Sequence, residues 1–165
     1  MKKMNMWMGA TVALTLVTTA PVLASRSEPG SDDCQNSAAL SADEARVCAN
    51  FHNMVEDARR LDADAVLDHF WSDGFTAALA GELVRDFPGW ADDYRALLST
   101  TESLDRVDFP RVVVRTIAAD TILLLNTYDQ RIVLQSGDVL EPTGYGTQVW
   151  VRREGEWRII HIAGE

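Results

Sequence analysis

The stretch TQVWVRREGEWRIIHIAG, residues 147–164, consists of two runs of strand-favouring residues meeting at Glu154-Gly155. A glycine there supplies the positive φ that a tight two-residue turn needs, so the stretch reads as a β-hairpin. With that turn, Trp150 stands opposite Ile159 and Gln148 opposite His161. A glutamine beside a histidine either satisfies the imidazole or presents a polar edge to a ligand.

Working back along the chain, the period of two persists. The runs RVVVRTI (111–117) and TILLLNTYD (121–129) alternate around a turn near Ala119-Asp120 and form a second predicted hairpin. If that turn has two residues, Val112, Val114, Thr116, Leu123, Leu125 and Thr127 share one face, which would pack on helices. The opposite face carries Arg111, Val113, Arg115, Ile117, Ile122, Leu124, Asn126 and Tyr128. The intervening LQSGDVLEPTGYG reads as a loop or an edge extension.

The first half of the domain is helical. Ser41 followed by Glu44 forms a capping box, and Val47, Phe51, Met54, Val55, Ala58 and Leu61 then recur on one helical face. A second helix is predicted from Asp62, with Val66, Leu67, Phe70 and Trp71 on its apolar side, stopping at Asp73-Gly74. Phe75 to Arg85 reads as a small strand pair turning at Ala80-Gly81, and a third helix follows Pro88-Gly89. Helices first and strands last predict an α+β domain over residues 41–165, with helices covering one face of an antiparallel sheet.

The N-terminus bears on the compartment. Lys2 and Lys3 precede an uncharged segment, Gly9 to Ala24, that ends in Val22-Leu23-Ala24, which is the pattern of a secretory signal peptide spanning residues 1–24. The apolar run is short of the ~20 residues that span a bilayer. Export to the periplasm or the medium is therefore expected, followed by a flexible tail over residues 25–40. Losing the two lysines takes the formal net charge from −10 to −10 − 2 = −12. So acidic a chain, with no concentrated basic patch, argues against nucleic acid as a partner, and against a membrane once the signal is removed. In an oxidising compartment Cys34 and Cys48 are expected to pair; the alternative is a buried Cys48 thiol with Cys34 free in the tail. Neither has a histidine at metal-ligand spacing, and no phosphate loop or nucleotide fingerprint occurs, so no metal and no cofactor is expected.

The terminal residues TQVWVRREGEWRIIHIAG resemble the closing hairpin of the nuclear transport factor 2-like superfamily, in particular its SnoaL-like branch and the calmodulin-dependent kinase association domain. The order of elements from Ser41 onward fits the same group. The resemblance implies a cone-shaped, cystatin-like roll, in which a curved sheet wraps the N-terminal helices and leaves a pocket at the open end. It also implies a homodimer. It fixes no activity, because the same cone hosts isomerases, cyclases, dehydratases and noncatalytic modules.

Three functional expectations follow. The first is an exported pocket for a small hydrophobic or aromatic ligand. Its lining would include the aromatic cluster Trp71, Phe75, Trp90 and Tyr94. Arg115, Tyr128, Gln148 and Trp150 would join it from the strands. The second is an isomerase-, cyclase- or dehydratase-type enzyme with His161 as catalytic acid or base, its unperturbed pKa suiting proton transfer, beside a tyrosine or an aspartate such as Asp129 or Asp138. The third is a dimerisation module whose cone is filled by its own side chains.

Overall fold

The computed structural model describes residues 33–35, 39–79 and 81–165. The signal segment and most of the tail, Arg26 to Asp32 among them, lie outside the described residues. Helix α1, Ala42–Arg59, starts at the predicted capping box: the Ser41 hydroxyl accepts from the Glu44 amide, and the Ser41 amide donates to Glu44 Oε2 at 3.0 Å. Val47, Cys48, Phe51 and Val55, spaced along one face, are buried. Leu61 then takes a positive φ of 57°, which reverses the chain into α2, Ala63–Leu67. Asp62 caps this helix through the Ala65 amide.

Helix α2 is shorter than its apolar spacing predicts. Phe70 leaves the helix because its backbone pairs with the terminal strand instead: the Ile159 amide donates to the His69 carbonyl at 2.8 Å, and the Trp71 amide to the Ile159 carbonyl at 2.9 Å. Strands β1 (Thr76–Leu79) and β2 (Glu82–Val84) follow, then α3, Phe87–Ser99, with a proline in its first turn, where no amide hydrogen is required.

The rest is sheet: β3 Thr101–Ala118, β4 Thr121–Leu134, β5 Val139–Leu140, β6 Thr143–Arg153 and β7 Glu156–Gly164, in the order β2-β1-β7-β6-β4-β3, with β5 against β4. Seven strands make a curved sheet that does not close. The expectation of a purely antiparallel sheet needs correcting, since β1 runs parallel to β7. A pair of strands four and three residues long cannot stand alone, and the free edge of β7 gives it a partner. Strand β3 also begins ten residues before Arg111. That half, TESLDRVDFP, is charged and contains Pro110, which sits within the register irregularity between Asp108 and Arg111. A proline is tolerated there because no ladder amide is needed.

Both hairpin turns have two residues as predicted, with Ala118 opposite Thr121 and Arg153 opposite Glu156. Glu154 and Gly155 have φ of 53° and 86°, the double left-handed geometry of that turn. The β4 and β7 faces nevertheless differ from the alternation count, because one residue is left unpaired near each turn. Ile117 has no partner, so Thr116 meets Ile122, Val114 meets Leu124 and Val112 meets Asn126. The buried face is therefore Val112, Val114, Ile122, Leu124 and Asn126, while Leu125 is exposed. Likewise Ile160 is unpaired: Trp150 faces Ile159, but Val149 faces His161 and Gln148 faces Ile162. A one-residue bulge moves everything beyond it to the opposite face.

The core joins helix to sheet. Trp150, Phe51, Ile122, Leu124, Ile159, Val47, Val112 and Val114 are its largest sealed side chains, each contributing about 1.5–3 kcal/mol for the aliphatic members. The terminal hairpin is tied to α1 by Trp157, whose Nε1 donates to Asp43 Oδ1 at 3.3 Å and whose carbonyl accepts from Asn50 Nδ2 at 3.1 Å. The open edge of β3 is covered in three places. The Asp33 amide donates to the Val112 carbonyl, the Asp33 carboxylate accepts from the Val114 amide, and Glu44 Oε1 accepts from the Thr116 amide at 3.0 Å. A disulfide joins Cys34 to Cys48, with Cα atoms 5.3 Å apart, and holds that segment to α1. Blocked edge groups cannot template pairing with another chain.

Glu44 thus serves helix and sheet at once, and bonds from the Ser41 backbone hold its carboxyl below the ordinary value of 4.5. A depressed carboxylate pKa adds stability above the ordinary value that is lost as pH falls through the lower, folded value. Denaturant midpoints should therefore drop as the pH falls below 4.5, and Glu44→Gln should flatten part of that slope; an unchanged slope would disprove the double role.

Candidate functional site

A cavity of about 540 Å³ lies between the concave face of the sheet and the helices. The sequence of β6 makes room for it. Positions 144, 146, 148 and 150 alternate onto the concave face, and the first two are glycines. A Cβ on Gly146 would stand 3.1 Å from Asn126 Oδ1, and one on Gly144 only 1.9 Å from the Glu165 carbonyl oxygen. Gly164 pairs with Gly146, so two adjacent strands are bare at the same level. Helices α1 and α2 supply Met54, Val55, Ala58 and Val66 to the wall, and α3 supplies Trp90 and Tyr94.

The lining is mainly apolar, with a few convergent polar groups. Asn126 is 6% exposed, and among the described residues nothing hydrogen-bonds its side chain. No sealed side-chain nitrogen or oxygen lacks a partner among the described residues, so that amide must open on the cavity. Gln148 is different: its Oε1 accepts from Trp150 Nε1 at 3.0 Å. Indole nitrogen only donates, so this bond fixes the amide with its NH2 group on the other side. The Tyr128 hydroxyl donates to the Glu165 carbonyl at 2.8 Å. Burial pushes the Tyr94 hydroxyl up to about 12, which keeps it neutral across ordinary pH. Among the described residues the lining contains no histidine, aspartate, cysteine, lysine or arginine, and its one carboxylate side chain is Glu165.

Of the eight residues expected to line a pocket, Trp90, Tyr94, Tyr128 and Gln148 do so. The other four stand elsewhere, each for a packing reason. Trp150 is fully buried behind Gln148 and holds it in place. Phe75 lies beneath the wall, its ring 4.8 Å from Trp90 and 5.1 Å from Phe87. Trp71 has the Arg158 guanidinium 4.7 Å and the Arg153 guanidinium 5.7 Å from its ring centre, and its Nε1 donates to the Val151 carbonyl. Arg115 projects from the β3 edge and pairs with Asp33 at 2.7 Å.

His161 does not line the cavity. The bulge at Ile160 pairs it with Val149, on the face opposite Gln148 and Trp150, where its Nδ1 lies 2.7 Å from the Thr76 hydroxyl. Asp129 bonds Arg106 and Asp138 bonds Ser136, so neither aspartate reaches it. The remaining histidines are also apart: His69 pairs with Asp57 at 2.9 Å, and His52 stands on α1. Among the described residues no group of three histidine, cysteine, aspartate or glutamate side chains is placed to hold a metal. Sequence reading missed Asn126, Met54, Phe109 and the glycines. The available signal was the doublet of glycines two apart in TGYGTQ, which strips one strand face of side chains.

No protein-family model and no curated protein matches this chain. Solved structures do. A nuclear transport factor 2-like superfamily protein of Salmonella enterica superposes with a TM-score of 0.65 at 13% identity, covering 74% of this chain and 89% of that one. The chain has the nuclear transport factor 2-like fold. Two further structures with this fold are a proposed aromatic ring hydroxylase of Novosphingobium aromaticivorans (TM-score 0.68, 15% identity, 76% and 90% covered) and a proposed calcium/calmodulin-dependent protein kinase II association domain of Xanthomonas campestris (0.61, 21%, 77% and 91%). Such low identity carries the nuclear transport factor 2-like architecture and no residue roles.

The Tyr94 environment has a measurable consequence. A phenol held neutral by burial favours the folded state fully below pH 10, the ordinary value, and progressively less as pH rises toward about 12. In an absorbance titration the highest-pH tyrosine step should disappear in Tyr94→Phe, and that variant should lose less stability above pH 10 than the parent. A titration in which all three tyrosines ionise near 10 would overturn the assignment.

Proposed function

We propose that this chain is an exported domain that binds a small hydrophobic or aromatic molecule inside its cone, as a homodimer. The observation that carries the reading is the cavity lining, with apolar walls from three helices, a few amide and hydroxyl groups and the single carboxylate of Glu165. Its volume falls in the range of about 300–1,000 Å³ typical of small-molecule sites. The proposal assigns no proton transfer to His161, whose imidazole is across the sheet from the cavity. The open space also counts against a cone filled by its own side chains.

Export rests on the leader pattern of residues 1–24 and fits a chain whose two cysteines are bonded. For the dimer, support comes from the convex face. By register, Val113, Leu125, Thr147, Ala163 and Ala78 form one row across the strands, beside the row Arg115, Leu123, Val149, His161 and Thr76. A face that mixes Val113, Leu123, Leu125 and Val149 with Thr147, His161 and Thr76 suits burial against a second copy.

Native mass spectrometry of protein recovered from the periplasm or medium of an exporting host should give a dimer of chains cleaved after Ala24, with small-molecule adducts. The neutral dye N-phenyl-1-naphthylamine should brighten on binding. Ala58→Phe, which puts a ring into the cavity from α1, should weaken that binding about tenfold or more while leaving the circular dichroism unchanged. Dye binding that ignores Ala58→Phe would sink the pocket reading, and an uncleaved monomer would sink export and dimerisation.

A further inference from the structure

The geometry points to a ligand that is uncharged and carries a hydrogen-bond acceptor, such as a ketone, on an apolar ring body, with Gln148 as the group that reads the acceptor. This inference rests on the pocket reading and specifies it. An unconstrained glutamine offers one acceptor and two donors and can present either end by flipping. Gln148 cannot flip without cost, because Trp150 Nε1 is a donor only, sealed in the core, and its one partner is Gln148 Oε1. Reversal would set N–H against N–H and leave a buried donor unpaired. The cavity therefore meets Gln148 as a donor.

Asn126 is the second half of the device. It pairs across the sheet with Gly146, two residues before Gln148 on the same face, so the two amides are diagonal neighbours about 7–8 Å apart at Cα. No side chain separates them on β6, because position 146 is a glycine. With 6% exposure and no protein partner among the described residues, the Asn126 amide opens on the cavity with its hydrogen-bonding capacity unused, which a ligand polar atom can take up. Both groups thus address one polar end of a ligand whose remainder lies on Trp90, Phe70, Phe109 and Ile162. An anion would find no cationic side chain among the described residues of the lining, and it would meet Glu165 and a chain of formal charge −10. Desolvating a carboxylate there is unfavourable.

Three probes of nearly one shape separate the possibilities: 2-acetylnaphthalene (neutral acceptor), 2-ethylnaphthalene (no polar atom) and 2-naphthoate (anion). Calorimetric titration at neutral pH should rank 2-acetylnaphthalene about tenfold or more above each of the others, with the carbonyl stretch of the bound ketone shifted to lower frequency than in alkane solvent. Gln148→Met should erase most of that advantage, read as the ratio of ketone to hydrocarbon affinity within the variant, and shrink the band shift. Asn126→Leu provides a second variant should Gln148→Met prove poorly folded by circular dichroism. Equal affinity for ketone and hydrocarbon, or an unshifted carbonyl band, overturns the donor assignment and leaves the pocket standing. Tightest binding of 2-naphthoate overturns it in favour of an anion site. If none of the three binds, the pocket reading falls and this inference with it.

Discussion

Ile160 has no residue opposite it on β6, and that vacancy in the ladder settles which side chains of β7 meet the helices. Before the bulge, Ile159 points inward onto Trp150; after it, Ile162 points inward beside Gln148, and His161 is carried to the convex face. The same device at Ile117 turns Ile122, Leu124 and Asn126 toward α1. Bulges also increase local twist, and a sheet with irregularities on both sides of its centre can curve around a helix. The cavity, its polar groups and the exclusion of the only terminal-strand histidine all trace to those two unpaired isoleucines.

How much of this was legible in the sequence depends on which physical signal each feature leaves. The capping box at Ser41 and the Glu154-Gly155 turn are local and chemical, and both were readable to the residue. Helix α1 was readable because a helix half-buried on a sheet must repeat its apolar face every three to four positions. Bulges leave no such trace: alternation counts outward from a turn, and Ile117 and Ile160 look like ordinary strand residues until the register is seen. Hence the turns, the inward face of Val112 and Val114 and the Trp150–Ile159 pair were placed correctly, while the β4 faces and the partners of Gln148 and His161 were not. Strand β3 was truncated because its first half is charged on an edge, where no apolar period is required.

The site was half legible for a related reason. Trp90, Tyr94, Tyr128 and Gln148 were accessible as large or polar groups near the expected opening, yet aromaticity does not distinguish a lining ring from a supporting one. Phe75 and Trp150 stand one layer behind the surface that Trp90 and Gln148 present. Asn126 was overlooked because an isolated asparagine in an apolar strand looks like a solvent-facing position. Its burial without a partner among the described residues is the informative fact, and it exists only in the folded arrangement. Glycines were likewise read as turn residues, although Gly146 and Gly164 sit in mid-sheet and act by leaving space.

The parallel pairing of β1 with β7 also bears on the order in which the molecule assembles. Thr76 and His161 are neighbours in space yet 85 positions apart in the chain, and Phe70 meets Ile159 across a similar distance. Contacts of that separation are entropically costly to nucleate and form late. By contrast Cys34 and Cys48 are 14 residues apart, and α1 needs only its own cap and turns to begin. On that ground the seam of β1 with β7, rather than the local β6–β7 hairpin, is the costly pairing of the sheet. Because β1 contributes Leu79 to the cavity wall, that pairing between distant parts of the chain is also what completes the pocket.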